Sequence, residues 1–329
     1  MSVTLVVCVA AALSLPQVEG VKVIEFYGYD DCIELKNETT RVVLCPGAGG
    51  RVLEYSLGGK NALYLPPGSE GFRWDEQTNK HGSMMAGRFD IGPEQLVQKR
   101  PALWMGPWKG EITGARSARL TSVKDKATGV QLVRDFVLSP KSSRLKVSQT
   151  IVNISDEPKE YCHWSRTFAA GGGIVVVPTS ERSRFPNHYV MYESGSTMNF
   201  RPTDPKIHQR KTHLEITGAP KKPKLGMDSS SGWFAYLMRN DVMFAKTFKV
   251  SPERQYNEVA GLTVSIWYPD NGNMVELEPI GPAEKLKPGA SGTFTETWYL
   301  LPQNFPEDGE EVQLRPLAEK LHAVASKPE

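Results

Sequence analysis

Histidine and cysteine are scarce, at six and four residues in a chain of 329. The cysteines stand at 8, 32, 45 and 162, with no second Cys or His at the spacing a zinc site needs, so neither a structural metal nor a cofactor is expected. Charge of one sign is missing too. Lys and Arg number 39 against 37 Asp and Glu, a net +2, whereas a dedicated nucleic-acid binder gathers a large basic excess on one face. Beyond the N-terminus no apolar run is long enough to cross a bilayer, so no membrane insertion is expected. Helical periodicity is nearly absent, and no short-period repeat divides the chain. The glycine-rich stretch Pro46 to Arg51 does not open a helix, so a tight turn into a strand is a simpler reading than a phosphate cradle.

What the chain does have is strand-like segments. Between Val21 and Tyr64 the runs VKVIEFYG, CIELKN, TRVVLCP and RVLEYSL are bounded by Gly, Pro, Asn or Asp, the spacing of an antiparallel meander. Similar runs return from Ile112 to Ile154, at Tyr161 to Phe168, from Trp233 to Val250 and from Val259 to Leu301. The expected fold class is therefore all-β, one large antiparallel β-sandwich over residues 21–302. In the tail, residues 303–329, Leu314, Leu317, Leu321 and Val324 stand at helical spacing and predict a short amphipathic helix.

Ahead of the sandwich, Val3 to Leu15 is apolar and is followed by Pro16 and Gly20, like the core and cleavage zone of a signal peptide over residues 1–20. No Lys or Arg precedes the run, so either the true start lies upstream or the run is a buried strand. With the signal, the protein is secreted or periplasmic. Export bears on Cys32 and Cys45, which flank the hairpin-like ELKNETTRVVL. They either pair as a disulfide or remain two buried thiols on adjacent strands.

Chemistry concentrates in three places. In Met274 to Glu278 a period of two puts Val275 and Leu277 on one face and Met274, Glu276 and Glu278 on the other. Two like charges two strand rises apart, roughly 7 Å, raise the pKa of one carboxyl when partly buried. The irregular stretch Leu65 to Gly110 holds His81, Arg88, Asp90 and Trp104, residue types that suit a hydroxylated ligand: charged groups bond its hydroxyls while an aromatic face covers its C–H surface. The plainer reading is a surface salt bridge with tryptophans capping the core. In Tyr161 to Phe168, alternation groups Tyr161, His163, Ser165 and Thr167 on one face and Cys162, Trp164, Arg166 and Phe168 on the other. The basic run Lys206 to Lys224 reads as a solvated loop.

Taken in order, several motifs resemble the galactose mutarotase-like (aldose 1-epimerase-like) superfamily. They are Gly49-Gly50-Arg51-Val52-Leu53, Gly58-Gly59-Lys60-Asn61-Ala62-Leu63-Tyr64, Ala86-Gly87-Arg88, Val152-Asn153-Ile154-Ser155-Asp156-Glu157-Pro158 ahead of His163, Val275-Glu276-Leu277-Glu278, Leu286-Lys287-Pro288-Gly289 and Glu296-Thr297-Trp298-Tyr299-Leu300. The likeness spans nearly all of the chain after residue 20 and points to a branch apart from the true sugar mutarotases. It implies a β-supersandwich that takes a sugar or glycan as ligand. It also implies anomer interconversion, in which a glutamate removes the proton of the anomeric hydroxyl and a histidine protonates the ring oxygen. On this chain Leu277-Glu278 matches the glutamate, Glu276 is its substitute, His163 stands near the histidine strand, and Arg88 matches a substrate-binding arginine. Asp90, His81, Arg166 and Trp104 complete the expected sugar contacts. The family's first histidine after the Gly-Arg segment has no counterpart, and its Asn-His-Ser/Thr-Tyr-Phe strand reads here His163-Trp164-Ser165-Arg166-Thr167-Phe168.

Two functions stay open: aldose 1-epimerase-like catalysis by a Glu base and a His acid, or a non-catalytic carbohydrate-binding sandwich. A glycosidase needs carboxylates flanking the scissile bond, which two residues of one strand do not provide.

Overall fold

The computed structural model describes residues 18–77, 84–194 and 197–327. The expected signal segment falls outside the described residues as far as residue 17, and so does His81. Among the described residues the strands form a twelve-stranded and a ten-stranded sheet with antiparallel pairing throughout, packed as the sandwich that alternation predicts.

The alternation explains the layers. In the Met274–Leu286 strand Val275 and Leu277 enter the core, and in the Gly87–Gly92 strand Phe89 and Ile91 do the same. From the smaller sheet Leu132, Phe136, Phe244, Phe294 and Trp298 meet them. Tyr55, Phe244 and Trp298 pack edge-on and tilted, with ring centroids 5.5 to 5.7 Å apart. Each such side chain contributes roughly 2 to 3 kcal/mol by leaving water.

A polar seam runs through this otherwise apolar interior. Lys246 and Glu296, both fully buried, form an ion pair at 3.2 Å. Gln149 donates to Glu296 at 3.2 Å, Ser165 also donates to it, and Lys246 donates to Thr167 at 2.7 Å. Buried polar groups persist only when partnered, and this network ties the two sheets together.

At one end of the chain the Leu314–Ala325 helix presses Leu317 and Leu321 onto Tyr299, Leu301, Leu237 and Met243. Near the other, Cys32 and Cys45 are free, buried thiols on neighbouring strands. The structure therefore takes the second of the two cysteine readings. It also brings Asp31 in beside them, with one donor atom from each of the three residues within 4.8 Å of the others, a grouping that Cys and His spacing did not foresee.

In the larger sheet the strands Gly87–Gly92, Lys159–Ala170, Met274–Leu286, Val264–Trp267 and Lys224–Met227 lie side by side. Their outward residues come from distant parts of the chain. Together they build one polar surface.

Candidate functional site

Register places Arg166 at the centre of that surface. It sits opposite Arg88 on one neighbouring strand, while Phe168 sits opposite Glu276 on the other. Arg166 donates from Nε to Glu276 Oε1 at 2.6 Å and from Nη2 to Oε2 at 3.2 Å. Beside this pair is a cleft of about 370 Å³, lined by Arg51, Arg88, Glu94, Trp104, Arg166, Phe168, Lys224, Trp267 and Glu276, with three methionines. A larger hollow of about 670 Å³ lies on the flank, where Leu57, Leu300, Leu301 and Val324 face a single carboxylate, Glu38. Lys141, Arg144, Lys327 and several hydroxyls line it as well, but no aromatic side chain does, whereas the smaller cleft joins Trp104, Phe168 and Trp267 to charged groups of both signs and is therefore the candidate site.

The two glutamates of the Met274–Leu286 strand divide their roles. Burial alone raises the pKa of Glu276, but Arg166, then Arg88 and Lys224, outweigh it and hold the carboxyl ionised. Glu278 is buried deeper, and burial together with the charge of Glu276 pushes it up to about 8 against the pull of Arg166 and Lys224. Arg166 Nε lies 3.2 Å from Glu278 without bonding it, and the Ser265 hydroxyl, opposite in register, is the hydrogen-bonding group beside it. The sequence left Glu276 and Glu278 interchangeable; the surroundings do not.

Asp90 is withdrawn from any ligand. It accepts Nε of Arg100 at 2.8 Å and Nη2 at 3.0 Å, together with the backbone N–H of Ile91 at 2.8 Å, and is wholly buried. Burial raises its pKa, but Arg100, Arg88 and Arg166 bring it below the ordinary value. The expected sugar contact is therefore a positioning anchor. Arg100 is the partner that a spacing of two residues between Arg88 and Asp90 had concealed.

Arg88 and Trp104 do come together at the cleft. The Arg88 guanidinium lies 4.7 Å from the Trp104 ring centroid and 5.8 Å from that of Phe168. Its Nε is buried without a hydrogen-bond partner, and among the described residues no carboxylate stands within ion-pair distance of it. Burial, then the charge of Arg166, lowers its pKa to about 10, so it stays protonated near neutrality.

His163 is elsewhere. Its ring stacks on Phe89 at 5.8 Å and meets Phe294 of the opposite sheet at 5.9 Å. Nε2 lies 3.0 Å from the carbonyl oxygen of Gly292, which can only accept, so Nε2 carries the proton. Burial pushes its pKa down to about 4. The expected pairing of Glu278 and His163 across a sugar is thus not formed, because the pleat of their strands sends the two side chains to opposite faces of the sheet.

Several cleft residues were missed. Lys224, at the end of the basic run read as a loop, begins a strand and bonds Glu94. It also lies 4.6 Å from the Trp164 ring centroid. Alternation in Lys224-Leu225-Gly226-Met227 was the available signal, hidden by the prolines and lysines before it. Trp267 carries a similar signal in Val264-Ser265-Ile266-Trp267. Arg51, from the Gly-Gly-Arg turn, reaches the cleft floor by bonding the carbonyls of Ala48, Met84, Met85 and Trp104.

No family model and no curated protein matches the sequence. Solved structures do match the fold. A candidate aldose 1-epimerase from Escherichia coli is 11% identical with a TM-score of 0.59, covering 82% of this chain and 98% of its own. A galactose mutarotase-like protein from Clostridium acetobutylicum is 12% identical with a TM-score of 0.59, covering 87% and 99%. One from Lactobacillus casei is 11% identical with a TM-score of 0.55, covering 82% and 100%. The chain has the galactose mutarotase-like β-sandwich fold, at a sequence distance where the likeness speaks for the fold and the site must speak for the function.

Proposed function

We propose that the chain is a carbohydrate-binding protein whose cleft on the larger sheet seats a sugar against Arg88, Trp104, Phe168 and the Arg166–Glu276 pair. One observation carries this reading. Aromatic faces and fixed hydrogen-bonding groups converge on a single cleft, in the fold shared with proteins described as mutarotase-like. Hydroxyls would take up the donors of Arg88 and the open edge of Glu276, while Trp104 and Trp267 would cover the apolar side of a pyranose ring. Binding is favoured over epimerisation because His163, the histidine expected as the acid, packs between Phe89 and Phe294 in the core and not against the cleft.

A second reading has its own observation. Glu278, held by no carboxylate-to-guanidinium bond and with its pKa pushed up to about 8, is suited to proton transfer. It would require access through the Arg166–Lys224 layer and a partner other than His163.

Exchange NMR separates the two. The purified protein is titrated into a panel of hexoses, pentoses and uronic acids while α/β exchange peaks are followed. Broadened or shifted sugar resonances at the uncatalysed exchange rate support binding. Accelerated anomer exchange that Glu278→Gln abolishes would replace binding by epimerisation, and an unresponsive panel would overturn the sugar reading.

A further inference from the structure

We infer that the ligand of the cleft carries an anionic group, a carboxylate or a phosphate or sulfate ester, held by Arg88 with the fixed charge of Arg51 behind it. The inference rests on the sugar reading above and names the class of sugar.

It follows from matching charges across the cleft. Four cations line it, Arg51, Arg88, Arg166 and Lys224, against two carboxylates, Glu94 and Glu276. Arg166 is taken by Glu276, and Lys224 by Glu94. Asp90, just behind, is taken by Arg100. Arg51 and Arg88 are left without a carboxylate in ion-pair range among the described residues, Arg88 feeling Asp90 and Glu276 only beyond contact. The carbonyls that bond Arg51 fix its position but do not cancel its charge.

Two buried guanidiniums without a carboxylate in contact are costly beside a cleft with no ligand bound, even with Asp90 and Glu276 acting on Arg88 from farther off. Burial and the charge of its neighbour depress each, Arg51 to about 9 and Arg88 to about 10, and Glu278 is too far protonated near neutrality to offset them. A neutral hydroxyl could accept a hydrogen bond from Arg88 and still leave the charge unmatched. An oxyanion would match it, and the planar edge of Arg88, held face-on by Trp104 and Phe168, suits two parallel bonds to carboxylate or phosphate.

The test is calorimetric titration of the full chain with D-glucose, D-glucuronate and D-glucose 6-phosphate, and with acetate and inorganic phosphate alone. At least one charged sugar is expected to bind about tenfold or more tightly than glucose, with the advantage shrinking between about 50 and 200 mM salt. Arg88→Met should erase the advantage, and Arg88→Lys should restore part of it. Because Arg88 makes no contact ion pair among the described residues, Arg88→Met should also melt close to the parent. Glucose binding as tightly as both charged sugars would overturn the anionic inference and leave the sugar reading intact. Acetate or phosphate alone binding as tightly as the charged sugar would keep the anion site and overturn the sugar reading. Silence from every probe would overturn both, and a marked loss of stability in Arg88→Met would show that the arginine is a structural cation.

Discussion

Arg166 donates to both oxygens of Glu276, at 2.6 and 3.2 Å, while the same Nε stands 3.2 Å from Glu278. One guanidinium thereby serves two carboxyls of one strand, and the difference in its bonding makes one of them an anion and the other a proton store. Burial disfavours the charge on Arg166, but Glu276 first, with Asp90, and Glu278 where it is ionised, outweighs it and holds the guanidinium protonated.

Removing that cation should be expensive. Arg166→Met leaves Glu276 almost wholly buried and unpaired, and breaking such a pair costs about 3 to 5 kcal/mol. Arg166→Lys keeps a charge but not the two-pronged geometry, so it should recover only part of the loss. Urea unfolding of the three proteins reads this out. A Met variant as stable as the parent would show that the pair contributes nothing to holding the sheet surface.

Glu278 should impose a pH dependence of the opposite sense to an ordinary salt-bridged carboxylate. Its folded pKa is raised from 4.5 to about 8, so between these values the unfolded chain has released a proton that the folded chain keeps. Its stabilising contribution is full below the unfolded pKa and is lost as pH rises through the folded one. Against Glu278→Gln, the parent should lose stability across that window, by up to about 1.4 kcal/mol per pH unit. Unfolding midpoints of both proteins across the window test it. A difference that does not change with pH would mean Glu278 is ionised throughout.

The alternation that built the sandwich was legible, and so was half of the site. Val275 against Glu276, and Phe89 against Asp90, can be assigned to faces from sequence because a pleat has a period of two wherever one side is buried. The same rule already put His163 and Arg166 on opposite faces of their strand. Family likeness drew both into one site, and the structure follows the pleat. Less legible were contacts made by neither spacing nor pattern. Arg100 reaches Asp90 from an irregular loop, and Lys224 meets Glu94 across a register that only the strand order of the sheet determines.

His163 should behave as a core residue. Held neutral, with its pKa lowered from 6.5 to about 4, it contributes stability that is present above the unfolded pKa and is lost as pH falls toward the folded one, since the unfolded chain takes up a proton first. His163→Gln should lose that acid-side dependence and bind sugars as the parent does. The calorimetric titration above, repeated with this variant, checks the second half. Loss of binding in a folded His163→Gln protein would return the histidine to the site.

The seam between the sheets offers the sharpest stability test. Lys246 and Glu296 are both fully buried, and burial, partly offset by Glu296, pulls the lysine pKa down to about 8. Lys246→Met leaves Glu296 with Gln149 and Ser165 as hydrogen-bond partners and Arg134 as a more distant cation, and should cost about 3 to 5 kcal/mol. Adding Glu296→Gln removes the stranded charge while keeping an acceptor for both neighbours. The double variant should therefore regain most of the loss, giving a coupling of about 1 to 3 kcal/mol in a double-mutant cycle measured by denaturant unfolding. Additive losses would mean that the two charges are held independently, each by its own hydrogen bonds to the facing sheet.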